Sequence, residues 1–471
     1  MAHQDHHFRP LLWLVALAFF MQALDSTIVN TALPAMARSL GESPLRMQSV
    51  VIAYMLTMAT VIPASGWLAD RIGTRKTFFT AIFLFTLGSI LCAASPNLSL
   101  LVAARVVQGM GGAMLLPVGR LTILRALPRS LFLPAMSFIT VPGLLGPLIG
   151  PTLGGWLVQW ASWHWIFLIN VPIGLIGGIA TLRVMPDLRS DEPRRFDLAG
   201  YIMLSVGMVA LSIAMDGLAE LGLRQATVVV LLLFGLASVA AYWLHAARHK
   251  NPLFSLELFS VVSFRVGVLG NLFARIGSGS MPFLLPLLLQ LSLGYTPAQS
   301  GMMMIPVALA AMSVKRITTP LIRRYGYRNV LVSNTIVVGL VMASFAIGGS
   351  AEPFWLRLVQ MAIFGAVNSL QFTAMNTLAL KDMSQRLASS GNSLLSMVMM
   401  LSMSLGVACA GALLTGFSTM LGSPQDRLPA FHATFICVGL ITSCAAWIFW
   451  QLPDDEPHHE RKADLDRLSP E

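Results

Sequence analysis

Charged side chains make up only 11% of this 471-residue chain, against roughly 25% in a soluble domain. Hydrophobic residues make up 56%, and the mean hydropathy is +0.73. A chain this apolar cannot cover its own surface against water, so lipid is the solvent it requires. Cysteine is scarce: Cys92, Cys409, Cys437 and Cys444, all inside apolar runs and without C-x-x-C spacing. On that pattern they read as small packing residues. No H-E-x-x-H, no G-x-S-x-G and no G-x-x-x-x-G-K-[ST] occurs, which argues against an intramembrane enzyme and an ATP-driven pump. The formal net charge of +10 does not point to nucleic acid, because Lys and Arg fall in short clusters between apolar runs.

The apolar runs are numerous. A bilayer-crossing helix needs about 20 mostly apolar residues, and about fourteen such segments can be read. They lie near 11–34, 47–69, 77–95, 98–119, 134–158 and 165–185; then 198–215 and 225–246; then 264–291, 298–322, 329–349, 354–380, 389–418 and 430–452. The expected fold is all-α and integral to the membrane. The first run contains Asp25 and Pro34 and is too long for a signal-peptide core, so it reads as an uncleaved span. Alternate connections carry the basic clusters: Arg71/Arg75/Lys76, Arg120/Arg125/Arg129, Arg183/Arg189/Arg194/Arg195, Arg248/Lys250, Lys315/Arg316/Arg323/Arg324/Arg328 and Lys381/Arg386. The opposite side carries only Arg38, Arg46, Arg224, Arg357 and Arg427. The positive-inside rule then places both termini in the cytoplasm, which agrees with an even number of spans. The expected location is the cell (inner) membrane.

A faint internal repeat divides the chain. Gly66-Trp-Leu-Ala-Asp70-Arg71-Ile-Gly73-Thr-Arg75 is echoed by Thr319-Pro-Leu-Ile-Arg323-Arg324-Tyr-Gly326-Tyr-Arg328, and Arg105-Val-Val-Gln108 by Arg357-Leu-Val-Gln360. Two six-span bundles are expected at 1–190 and 256–452, with an inserted helix pair at 191–255 and a disordered tail at 453–471. Paired halves around a midplane site are a secondary-transporter plan.

Asp25 is the most informative residue. It lies about 14 residues into the first span, about 21 Å from the cytoplasmic edge, where a carboxylate costs about 2.5 kcal/mol or more. It is either a proton-carrying acid or the structural partner of a buried arginine. Arg105 and Arg275 fall at nearly the same depth, about 19 and 17 Å from the same edge. The three are expected to line one cavity, with Arg105 as the preferred partner of Asp25. Gln22, Asn30, Gln108, Asn271, Asn368 and Gln371, with Gln290 and Asn376, are candidate lining residues or interhelical hydrogen-bond partners. Gly146, Gly150 and Gly154 repeat every four residues and share a helix face. Trp156, Trp160, Trp163 and Trp165 suit an interfacial belt.

Four segments carry a resemblance. Gly66-x-x-x-Asp70-Arg71-x-Gly73-x-Arg75-Lys76 resembles the signature loop of the major facilitator superfamily. Arg105-x-x-Gln108-Gly109 resembles its fourth-span motif, and Gly146-x-x-x-Gly150-Pro151-x-x-Gly154-Gly155 its antiporter motif. Leu24-Asp25-Ser26-Thr27-Ile28-Val29-Asn30-Thr31-Ala32-Leu33-Pro34 resembles the first-span motif of its fourteen-span drug:proton antiporter branch. The resemblance implies export of small amphipathic molecules against protons, without a cofactor or metal, by a monomer in the bilayer. It also implies a charge latch at Asp70, Arg71 and Arg75, and bending or sealing by the fifth-span glycines. Import of a defined metabolite is the alternative within transport. The second signature copy has Arg323 where the first has Asp70, so a gating carboxylate is expected in the first half only.

Overall fold

The computed structural model describes residues 5–127, 129–189, 195–219, 225–349, 352–421 and 427–453. The tail beyond residue 453, Arg194 and Arg224 lie outside the described residues. Helices account for nearly all of the described chain, and no strand occurs among the described residues. The requirement that every backbone polar group be satisfied in lipid explains why.

The first half is α1 (Asp5–Leu40), α2 (Gln48–Ile72), α3 (Thr74–Ala93), α4 (Leu98–Ala126), α5 (Arg129–Trp160), the short α6 (Trp165–Leu168) and α7 (Asn170–Val184). The inserted pair is α8 (Leu198–Ala219) and α9 (Gln225–Arg248). Then come a 3₁₀ turn (Leu256–Ser260), α10 (Val262–Ser278), α11 (Met281–Leu287), a π turn (Leu288–Ser292), α12 (Pro297–Met303), α13 (Ile305–Ser344), α14 (Phe354–Lys381), α15 (Gln385–Met420), α16 (Leu428–Cys444) and α17 (Ala446–Trp450).

Twelve stretches among the described residues are long and apolar enough to cross a bilayer. One of them, Pro297–Ser344, has 48 residues, about 72 Å of helix or twice a hydrocarbon core. It holds two spans joined at Gly326, which has φ 76° and ψ 161°. Gly73, between α2 and α3, has φ 98° and ψ 151°. Only glycine enters that region without strain. These two glycines occupy matching places in the repeated sequence, so the repeat reaches down to the backbone. The apolar α5 supplies a further 32-residue helix, and about fourteen spans result.

The chain divides into two compact units. The first comprises residues 1–253, 282–305 and 407–415; the second comprises 254–281, 306–406 and 416–471. Within the second, Val266, Ala274, Leu331, Ala374, Met375, Leu378 and Phe449 form a buried cluster. Within the first, α9 shows how a helix meets lipid: Val229, Val230, Leu233, Phe234 and Leu236 are all exposed. Apolar surface facing lipid carries no penalty, so helix association rests on close packing and polar contacts instead. The inserted pair uses both. Gln48 Nε2 donates to Asp216 of α8 at 2.7 Å, and Ser238 Oγ of α9 donates to the Met203 carbonyl at 2.7 Å.

At the start of α8, buried Asp197 ties three segments together. Its carboxylate accepts from the Gly200 amide (2.9 Å), His245 Nε2 (2.9 Å) and the Leu253 amide (3.0 Å). His249 brings a further potential metal ligand within 4.8 Å, but its Nδ1 accepts from the Asn251 amide. With the carboxylate and that nitrogen already engaged, the cluster is a clasp that joins α8, α9 and the following linker.

Candidate functional site

A closed charge network surrounds Asp25 in the first unit. Asp25 is 0% exposed and Arg105 2%. Arg105 Nη1 donates to Asp25 Oδ2 at 2.7 Å and to Gln108 Oε1 at 2.6 Å. Gln108 Nε2 donates to Asp25 Oδ1 at 2.7 Å and to Ser89 Oγ at 2.9 Å. Arg105 and Gln108 are three residues apart on α4, so they share a face and act as one clamp. Asn170 Nδ2, from the first residue of α7, adds a third donor to Asp25 at 3.2 Å. The Arg105 guanidinium lies 4.0 Å from the Tyr54 ring centroid and 5.7 Å from that of Phe167, and its Nε donates to the Val50 carbonyl at 3.3 Å.

This is what a buried ion pair needs. Desolvation of each charge costs several kcal/mol, and the mutual attraction offsets it only when the remaining donors and acceptors are also satisfied. Here α1, α2, α3, α4 and α7 all contribute. Asn170, Tyr54 and Ser89 were not legible as site residues. The one available signal was Asn170 itself, an amide within an apolar run two residues before Pro172.

Other residues on α1 are less engaged. Gln22 Nε2 meets only Met58 Sδ at 4.0 Å, and Asn30 Nδ2 donates to the Ser26 carbonyl at 3.4 Å. The Gln22 and Asn30 amide oxygens are buried without partners among the described residues. Gln290 Nε2 donates to the Thr31 carbonyl at 2.9 Å.

The second unit holds a different charge. Arg275 of α10 is 7% exposed. Its Nε donates to Asn271 Oδ1 at 3.0 Å, and its guanidinium sits 4.3 Å from the Phe372 ring centroid. Nη2 is buried and has no hydrogen-bond partner among the described residues. No carboxylate pairs with Arg275 among the described residues. Gln371 has both ends occupied, by Asn334 Nδ2 at 2.8 Å and Thr335 Oγ1 at 2.6 Å. That binds α14 to α13. Asn368, one turn earlier, is half-buried, and the Asn376 amide oxygen is buried without a partner.

In the signature loop, Asp70 Oδ1 accepts from Arg125 Nη2 at 2.6 Å, and Arg71 lies over the Trp67 ring at 5.3 Å. Gly66 has open space where a Cβ would be. Beyond the turn, the segment after α7 grips the start of α3. Arg75 Nε donates to the Met185 carbonyl at 2.5 Å, and Thr74 Oγ1 to the Pro186 carbonyl at 2.8 Å. Gly73 leaves no room for a side chain beside Asp187 and Arg189. The signature carboxylate is thus paired inside its own unit.

The fifth-span glycines use two faces of α5. Added Cβ atoms on Gly146, Gly150 and Gly154 would strike α1 at Ala23–Leu24, Thr27 and Ile28. One on Gly155 would strike the Pro297 carbonyl, and Gly301 of α12 in turn lies against the Pro151 carbonyl. Thr152 Oγ1 donates to the Gly301 carbonyl at 3.2 Å. Backbones approach this closely only where small residues allow it. The tryptophans split: Trp156, Trp160 and Trp165 are exposed, whereas Trp163 is buried.

The chain is 53% identical over 448 residues to a protein of Serratia proteamaculans named as a multidrug resistance protein, MdtD, covering 94% of this chain and 93% of the relative. It is 52% identical over 453 residues to the protein of that name in Yersinia enterocolitica, covering 95% and 96%. Solved structures with a similar fold include a POT family transporter in complex with 5-aminolevulinic acid, with TM-score 0.69, 15% identity and 93% and 94% coverage. Another is a D-xylose–proton symporter, with TM-score 0.68, 14% identity and 95% and 98% coverage. The family model for the Major Facilitator Superfamily matches residues 15–407, and this chain is a multi-pass membrane protein belonging to that family of transporters.

Proposed function

We propose that this chain is a proton-driven secondary transporter that exports small amphipathic molecules by alternating access, with Asp25 as the proton carrier and Arg105 as its partner. The reading is carried by one observation: the fully buried carboxylate of α1 held by Arg105 and Gln108 at 2.7 Å each. A carboxylate of this kind inside a span marks an ion or proton path. The names of the relatives and the antiporter-type glycine motif favour export. Arg275 offers its unpartnered Nη2 to an acceptor on the substrate, which favours neutral, zwitterionic or amphipathic molecules over dications. The energy comes from the proton gradient, without a cofactor. The transporter works as a monomer in the inner membrane with both ends in the cytoplasm.

Proteoliposomes under an imposed pH gradient, assayed with a panel of candidate substrates, test this reading. Asp25→Asn keeps the shape of the side chain but carries no proton; it is expected to insert, fold and lose gradient-driven transport. Full proton-coupled transport by that variant would overturn the assignment. Reporter fusions at the tail and within 216–224 are expected on opposite sides of the membrane.

A further inference from the structure

The amide that touches Asp25 least tightly carries a second, unsatisfied group. Asn170 is 0% exposed. Its Nδ2 donates to Asp25 Oδ1 at 3.2 Å, the longest of the three contacts on that carboxylate. Its own Oδ1 is buried and has no partner among the described residues. An orphaned acceptor in so dry a place is expensive, and it calls for a donor.

Asp25 supplies that donor once it is protonated. As a carboxylate it only accepts hydrogen bonds; as an acid it has one O–H to give. The other polar groups around it are poorly placed to receive that proton. Arg105 from α4 has donors only. The Gln108 oxygen is already taken by Arg105 at 2.6 Å and by Cys92 Sγ of α3 at 3.6 Å. From α2, Tyr54 presents its ring to Arg105, and its hydroxyl, without a partner among the described residues, lies against Gly112 of α4. At this level α5 presents Gly146 and Gly150, and α6 presents Phe167, none of them titratable.

We propose that Asn170 is a positioning residue for proton uptake, and that its amide turns over as Asp25 titrates. In the ionised state Asn170 Nδ2–H donates to Asp25 Oδ1. In the protonated state the amide rotates about χ2, and Asp25 O–H donates to Asn170 Oδ1. The proton comes from one aqueous side and leaves to the other; only the O–H bond of Asp25 forms and breaks. The inference rests on Asp25 being the proton carrier proposed above. It adds that the first residue of α7, just past the break after α6, senses whether that proton is present.

The two states do not depend on Asn170 equally. Ionised Asp25 keeps the two shorter donors without it, whereas protonated Asp25 loses its acceptor. Removing the amide therefore weakens proton binding. Infrared titration of the protonated-carboxyl C=O band in proteoliposomes containing the full chain, between pH 4 and 9, tests this. Subtraction of the Asp25→Asn spectrum assigns the band. Asn170→Leu is expected to move the midpoint acid by about one pH unit, the size of one net hydrogen bond, and to raise the band frequency as the acid loses its acceptor. Asn170→Ser keeps a hydroxyl acceptor and is expected to recover part of the shift; it carries the test if the leucine variant fails to reach the membrane. An unchanged midpoint would show that Asn170 merely packs. An alkaline shift would show that it serves only the ionised form. Either result overturns the proposal. A band that survives in Asp25→Asn would instead sink the proton-carrier reading itself, so the two failures are distinguishable.

Discussion

The two buried arginines solve the same problem in opposite ways. Arg105 and Arg275 are both almost completely buried, and both lay a guanidinium on an aromatic ring. Arg105 is then enclosed by a carboxylate, a glutamine oxygen and a backbone carbonyl. Arg275 has one asparagine oxygen and an Nη2 without a partner among the described residues. A buried cation left short of partners is a standing penalty, which a ligand acceptor would relieve. On the function proposed above, Arg105 is the finished half of a proton site, and Arg275 is a half-built site that a substrate acceptor would complete.

The related sequence around Arg357 sharpens the point. Arg357-Leu-Val-Gln360 repeats the Arg105 motif, yet Arg357 lies in the first turn of α14. There it pairs with Glu352 at 3.2 Å and donates to the Gly349 carbonyl at 2.8 Å, while Gln360 donates to Ser344 Oγ. The repeated motif keeps an arginine–acid pair but sets it at the start of its helix.

The largest effect is expected at the finished site. Arg105→Leu strands the Asp25 carboxylate in a low-dielectric interior and is expected to destabilise the protein by about 3–5 kcal/mol. Adding Asp25→Asn removes the stranded charge and should recover most of that loss. Thermal unfolding of the two single variants and the double variant in detergent makes the measurement. Additive losses would mean that the two residues are not coupled.

Arg275→Leu inverts that result. No partner is left exposed by its removal except Asn271 Oδ1, so the unfolding temperature is expected to hold or rise. Substrate transport, by contrast, is expected to fall about tenfold, the loss of one charge-assisted contact. A variant that unfolds easily but transports normally would reverse the roles given to the two arginines. Gln371→Leu falls between the two. It leaves Asn334 and Thr335 without their shared partner and is expected to cost about 1–3 kcal/mol, with little effect on proton coupling.

Much of this architecture is legible from composition and spacing, because lipid imposes strict rules on length, charge and backbone satisfaction. The number of spans, the α1–α4 charge pair and the repeat at Gly73 and Gly326 all follow from local pattern. Beyond that one pair, spacing leaves hidden which polar groups meet across helices. Asn170 reaches Asp25 from 145 residues away, and Gln371, readable as cavity lining, spends both its ends on α13. Asp70 invites a latch between halves, yet its pairing with Arg125 comes from the end of α4. Each of these is decided by tertiary packing, which no periodicity encodes.

The smallest expected effect belongs to the clasp of the inserted pair, and it separates fold from coupling by pH. Burial pushes the Asp197 carboxyl up, but the Gly200 amide, His245 and the Leu253 amide together hold it below the ordinary value of 3.8. A depressed carboxylate stabilises the folded state above its unfolded value, and that contribution disappears as pH falls through the lower, folded value. Asp197→Ala should therefore unfold at a lower temperature than the parent protein across neutral and mildly acidic pH. The difference should begin to close only below about pH 4. The clasp joins α8, α9 and the linker without touching Asp25 or Arg275, so the pH dependence of transport is expected to be unchanged. A thermal-unfolding series in detergent from pH 7 to pH 3, paired with gradient-driven transport at the upper end, makes the comparison. If Asp197→Ala moved the transport pH profile instead, the inserted pair would belong to the coupling machinery.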